Sequence, residues 1–77
     1  MRFCKNPVVV EAEQYLGFGR PLIPGVSFDP VADAHYVVTI HQQKCYILPG
    51  DWIIQEPDGV HYYPCKPDIF ESNYTKA

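Results

Sequence analysis

The sequence predicts a mainly β protein: a small antiparallel five-stranded sheet or barrel with a short C-terminal helical turn. Three observations carry this. β-branched and aromatic residues recur with a period near two from Val8 to Tyr15 and again from His35 to Pro64. Turn formers, Pro49-Gly50-Asp51 and Glu56-Pro57-Asp58-Gly59, cut the second stretch at strand-length intervals. Between the two stretches, Pro and Gly are too dense for any long regular element.

The chain reads as a single domain over residues 1–77. Residues 1–15 form the N-terminal strand, in which Asn6-Pro7 is followed by Val8-Val9-Val10 and by alternation through Glu11, Ala12, Glu13, Gln14 and Tyr15. A helix over Val10 to Leu16 is the rival, and the β-branched triplet counts against it. Residues 16–34 are a long loop, punctuated by Gly17, Gly19, Pro21, Pro24, Gly25 and Pro30 and pinned by Phe18, Leu22, Ile23, Val26 and Phe28. It carries one short helical turn near Asp29-Pro30-Val31-Ala32. A loop of this length is either a functional lid or a crossover that caps an open barrel end.

Residues 35–64 make a four-stranded meander: His35 to Ile40, Lys44 to Leu48 after a turn at His41-Gln42-Gln43, Trp52 to Gln55, and Val60 to Pro64. The N-terminal strand brings the count to five. In residues 65–77, Lys66 to Glu71 form the helical turn, with Pro67 suited to the first helical position and Asp68 to the positive end of the helix dipole. Ile69, Phe70 and Tyr74 pack back onto the sheet, and Thr75 to Ala77 fray.

A chain of 77 residues buries only about 60 to 65% of its unfolded surface. Apolar residues make up 47% of it, and six Tyr, four Phe and one Trp favour burial at an interface, so self-association is the expected stabiliser. Cys4, Cys45 and Cys65 are odd in number and widely spaced, which reads as free thiols in a reducing cytosol. No apolar h-region follows Arg2 and Lys5, and no run approaches the 18 or so apolar residues of a membrane span. With six basic and nine acidic residues the net charge is −3, against a binder of long nucleic acid; a small anionic ligand needs only local positive charge.

Catalytic patterns are weak. Pro49-Gly50-Asp51 followed by Pro57-Asp58-Gly59-Val60-His61 is similar to the second half of a cupin motif, but His35 and His41 do not form its His-x-His, and a hairpin turn explains Pro-Gly-Asp as well. Zinc on Cys4, Cys45, Cys65 and one His would satisfy the ligand count without the usual paired spacing. Ser27 and Ser72 sit in no nucleophile elbow, Gly17-Phe18-Gly19 lacks the rest of a phosphate-binding loop, and Glu11 and Glu13 share a solvated strand face. Rings are better placed. His61, Tyr62 and Tyr63 on one strand, with Trp52 and Tyr46 on neighbours, put aromatics on both faces of the sheet. Those near Lys66, Lys44 or Arg20 either stack a base beside a phosphate or serve as interface and barrel-wall residues.

Both ends of the chain carry a resemblance. Leu48-Pro49-Gly50-Asp51-Trp52-Ile53-Ile54 and Tyr62-Tyr63-Pro64-Cys65-Lys66-Pro67-Asp68-Ile69-Phe70-Glu71 at one end are similar to a widespread family of small, uncharacterised phage and prophage proteins. So are Met1-Arg2-Phe3, Lys5, Pro7-Val8-Val9-Val10-Glu11-Ala12 and Gln14 at the other. The match spans about half the chain and leaves out residues 16–34. It implies a phage origin and the cytoplasm of the infected bacterial host. Phage proteins of this size include immune-evasion sponges, non-enzymatic oligomers that sequester cyclic ADP-ribose isomers or cyclic dinucleotides made by bacterial defences.

The resulting expectation is a non-enzymatic homo-oligomer that binds a small nucleotide-like ligand through Trp52, His61, Tyr63, Lys66 and Arg20, with no catalytic residue, metal, cofactor or membrane. The first alternative is a protein–protein interaction module docking on a host or virion protein through the same aromatic face. The second is a small hydrolase of signalling nucleotides.

Overall fold

A computed structural model describes residues 2–5, 8–17 and 23–76. The order of elements is β1 (Arg2–Lys5), β2 (Val8–Gln14), β3 (Ser27–Asp29), β4 (Ala34–Val38), β5 (Lys44–Tyr46), β6 (Trp52–Gln55), β7 (Tyr62–Cys65), α1 (Pro67–Asn73) and β8 (Thr75–Lys76). The chain is mainly β, its strands pair antiparallel, and one short helix lies near the C-terminus, as the sequence predicts.

The arrangement of strands differs from the single five-stranded sheet or barrel. Five strands form one sheet in the order β7-β6-β2-β1-β8, three form a second in the order β3-β4-β5, and neither closes on itself. The N-terminal strand is a hairpin of two, pairing Arg2 with Glu11 through to Lys5 with Val8. The expected meander divides after its second strand: β4 and β5 belong to the small sheet, β6 and β7 to the large one. Within the 16–34 loop, Ser27–Asp29 form a strand against Ala34–Tyr36. The helical turn expected near Asp29 is instead a turn closed by the Asp29 carboxylate, whose Oδ1 accepts the N–H groups of Val31 and Ala32. Thr75 and Lys76, expected to fray, pair with Cys4 and Phe3. Phe18 and Leu22, expected to pin the loop, lie outside the described residues.

Two core clusters lie on opposite faces of the β6 region. Ile54 meets Ala12 and Phe70 on one face; Ile53 meets Tyr15, Val37 and Ile47 on the other. Side chains alternate across a strand, so two consecutive isoleucines feed two cores and β6 is buried on both faces. The helix therefore covers one face of the large sheet and the small sheet covers the other. Cys65 edges the first cluster and Cys45 the second, both as free thiols.

The helix follows from its residues. Lys66 precedes proline and is extended (φ −64°, ψ 145°), Pro67 occupies the first turn where no N–H is needed, and Asp68 faces the positive dipole end. Phe70 and Tyr74, four apart, point to the sheet, and Phe70 stacks between Trp52 and Tyr74 at centroid distances of 4.2 and 4.5 Å. The helix stops when Tyr74 turns extended, its N–H donating to the Phe70 carbonyl at 2.9 Å.

Candidate functional site

β2 uses its two halves differently. Val8 to Glu11 pair with β1 along one edge, and Ala12 to Gln14 pair with β6 along the other. β6 ends at Gln55, and the chain turns off through Glu56 and Pro57. The Glu56 carboxylate holds that turn to the β4–β5 hairpin by accepting the Ile40 N–H at 3.0 Å. A groove of about 950 Å³ is left beside the first half of β2. Val9, Val10 and Glu11 line it from β2, Gln55 to Pro57 from the departing turn, and Ile40, His41 and Gln43 from the small sheet. Tyr63 and Tyr74 line it on the helix side, their hydroxyls 3.2 Å apart. Burial, and then the Tyr74 hydroxyl, push the Tyr63 phenol above its ordinary value, so it is a neutral hydrogen-bonding group at any physiological pH.

Of the predicted site residues that are described, only Tyr63 lines this groove. Trp52 is half-buried in the stack on Phe70. His61 sits in the β6–β7 turn, its Nδ1 2.5 Å from Asp58 Oδ2, while Asp58 Oδ1 accepts the N–H groups of Val60 and His61. Lys66 Nζ lies 3.3 Å from Asp51 Oδ1; Asp51 is buried and also accepts the Leu48 N–H at 2.9 Å. Arg20 lies outside the described residues. The cupin-like half-motif thus has His61 on Asp58, and His35 buried with its Nδ1 2.6 Å from the Tyr15 hydroxyl. Among the described residues no three His, Cys, Asp or Glu converge as metal ligands.

Rings and a lysine do meet, at a different place. On the small sheet Lys44 Nζ lies 4.3 Å from the Tyr36 ring centroid and 5.4 Å from that of Tyr46. Asp29 Oδ2 accepts both the Lys44 ammonium (2.8 Å) and the Tyr46 hydroxyl (2.6 Å). Those bonds, Lys44 first, hold the Asp29 carboxyl well below the usual range, and Asp29 in turn raises the Lys44 ammonium. Every cationic side chain described is paired in this way: Arg2 with Glu11 at 3.6 Å, Lys44 with Asp29 and Lys66 with Asp51. The sequence offers no signal for these pairings, which join residues 9, 15 and 15 positions apart. From the sequence Tyr74 is a packing residue, and Arg2, Glu56 and His41 are not among the ligand candidates, because their meeting depends on where β6 leaves the sheet.

The Asp58 turn gives a pH prediction. The His61 side chain, followed by the backbone N–H groups of His61 and Val60, lowers the Asp58 carboxyl from 3.8 to about 2. A depressed acid contributes stability above its unfolded pKa and loses it as pH falls through the folded one. The turn should hold at pH 4 and open as pH drops through about 2. Carboxyl-detected NMR titration of Asp58, with the Val60 and His61 amides as reporters, checks this; a common midpoint near 3.9 would show that the turn does not form in solution.

Fold and site together define a two-sheet, one-helix β protein with a groove where its large sheet is interrupted. No family model, curated protein or solved structure matches the chain.

Proposed function

We propose that the chain is a non-enzymatic binding protein that works by protein contact, the first alternative offered by the sequence. One observation carries this: the described cations are already ion-paired, while the groove beside β2 presents aromatic rings and two carboxylates. A phosphate would have to displace an internal carboxylate, whereas a polypeptide brings its own complementary groups. Exposed Tyr46 (49%) on β5 and Leu48 (62%) just after it support self-association as part of the same reading. The phage origin and host-cytoplasm setting stay with the resemblance of the two chain ends.

Sequestration of a nucleotide signal is the second reading. It is favoured by Tyr63 and Tyr74 beside the amides of Gln43 and Gln55, groups that stack on and hydrogen-bond to a base. Sedimentation velocity followed by calorimetric titration with a cyclic dinucleotide and a cyclic ADP-ribose separates the two. An oligomer that gives no heat with either nucleotide is expected. Micromolar binding, worth about 8 kcal/mol, lost in Tyr63→Ala, would replace the protein-contact reading. Recovery of a cleaved nucleotide would replace both with the hydrolase.

A further inference from the structure

The corner of the groove where β6 ends has a hydrogen-bonding sense of its own. Strand alternation does not carry on past Gln55, and the side chains of Gln55 and Glu56 both line the groove. The Gln55 amide nitrogen donates to the Gly59 carbonyl at 3.0 Å, which leaves its Oε1 as an acceptor. Glu56 Oε2 accepts the Ile40 N–H at 3.0 Å, and its Oε1 accepts nothing among the described residues. Charge points the same way. Arg2 lies against Glu11 at 3.6 Å, whereas Glu56 has no counter-ion among the described residues. Glu56 is half-buried, so water and salt screen it less than a surface carboxylate. Its charge is felt at Tyr63, whose phenol is raised first by burial, then by the Tyr74 hydroxyl and then by Glu56. One groove thus holds an uncompensated carboxylate, an amide oxygen and two phenol rings.

We propose that this corner takes the guanidinium of an arginine side chain from a partner protein, with Glu56 as its counter-ion, the Gln55 amide oxygen as a further acceptor, and Tyr63 and Tyr74 beside it. The inference rests on the protein-contact reading and names the side chain that anchors the contact. A guanidinium is planar, weakly hydrated and always charged, carries five N–H donors and stacks on aromatic rings. Its fork can serve a carboxylate and an amide oxygen together. An ammonium is a compact, strongly hydrated point charge, which suits the carboxylate and gains less from the amide and the rings. A carboxylate or phosphate is the wrong guest. It brings acceptors to acceptors and adds to the negative charge. At about 950 Å³ the groove also has room for the residues on either side of the arginine.

The test uses the whole chain, labelled with nitrogen-15, and short capped peptides of serine and alanine with one central arginine, lysine or citrulline. At millimolar concentrations the arginine peptide should shift the Gln55 side-chain amide and the backbone amides of Ile40 and Glu56. Citrulline keeps the shape without the charge and should bind at least about tenfold more weakly, the worth of a charged hydrogen bond. Lysine should fall between the two. Glu56→Gln keeps an acceptor for the Ile40 N–H and should bring arginine down to the level of citrulline. Gln55→Leu should bring it down to the level of lysine. Arginine that binds no better than citrulline or lysine, arginine binding unchanged in Glu56→Gln, or no shift with any peptide overturns the proposal. An oligomer that falls apart in Glu56→Gln also overturns it, because a second copy is then the occupant. The protein-contact reading fails on another result, micromolar nucleotide uptake that is lost in Tyr63→Ala, so the two failures are distinguishable.

Discussion

Phe70→Ala is expected to remove a large part of the stability of the chain. Phe70 is 1% exposed and holds the helix to the large sheet through its stack with Trp52 and Tyr74 and its contact with Ala12 and Ile54. Truncating a buried phenylalanine costs about 3 to 5 kcal/mol, lost transfer energy plus the cavity left behind. A chain of 77 residues has about 4 to 12 kcal/mol in total at ordinary per-residue stabilities. A helix of seven residues cannot persist alone, so its face of the sheet would be uncovered at the same time. Urea unfolding followed by the emission of Trp52, which lies against the ring removed, reads this directly. With a slope of about 1 kcal/mol per molar urea, the midpoint should fall by about 3 to 5 M. The neighbouring Ile69, 53% exposed, is the control: Ile69→Ala should stay within about 0.5 kcal/mol of the parent. Equal effects of the two substitutions would mean that the helix does not pack through Phe70.

The same pair of residues shows how far the sequence could be read. Pro67 and Asp68 mark the helix, and Phe70 and Tyr74 pack on the sheet as expected, whereas Ile69, expected there with them, is 53% exposed. The positions of β2 and of β4 to β7 are equally visible, because alternation and turn residues are local signals. Which strands share a sheet is not local. Trp52-Ile53-Ile54-Gln55 read as one more step of a meander, although consecutive isoleucines at a two-residue period mean a strand covered on both sides. That pattern belongs to the middle layer, and the Pro49-Gly50 turn carries the chain there from the small sheet. β3 escaped notice because three residues carry too little periodicity; its existence depends on the pairing of Phe28 with His35 across the turn.

The site was legible in type more than in place. Rings beside a lysine do occur: Lys44 and Tyr46, both offered by the sequence, meet with Tyr36, but Asp29 neutralises the lysine. Lys66 read as a phosphate ligand because nothing local marked Asp51, 15 residues earlier, as its buried counter-ion. Composition counts charges; only the fold says which remain available. The groove itself arises where β6 ends at Gln55 and the chain turns off through Glu56 and Pro57, and such an ending leaves no mark in hydrophobic patterning.

Gly25→Ala should cost nearly as much as the loss of Phe70, for a steric reason. Gly25 has φ +90°, a conformation that side chains rarely adopt, and a Cβ added there would sit 2.1 Å from Cδ1 and 2.2 Å from Cε1 of Tyr62. Both atoms belong to a rigid ring, so the neighbour cannot bend aside as the end of a lysine could. Tyr62 packs against the cluster of Tyr15, Val37, Ile47 and Ile53, and moving its ring opens the layer between the two sheets. The backbone strain alone is worth about 1 to 2 kcal/mol, and overpacking adds typically 1 to 3. A loss of about 2 to 5 kcal/mol is therefore expected, read as a fall in the urea midpoint. The two terms separate in a double-mutant cycle. Tyr62→Ala removes the ring and costs stability itself, but on that background Gly25→Ala should cost only the backbone strain, leaving a coupling of at least 1 kcal/mol. By contrast Gly59, also at positive φ (+73°), has nothing nearer than 3.9 Å to such a Cβ, so Gly59→Ala should pay the strain without the clash. If Gly25→Ala and Gly59→Ala prove equally costly, the loop that carries Gly25 does not lie on Tyr62, and the side of the large sheet facing β4 and β5 is built differently from the arrangement described.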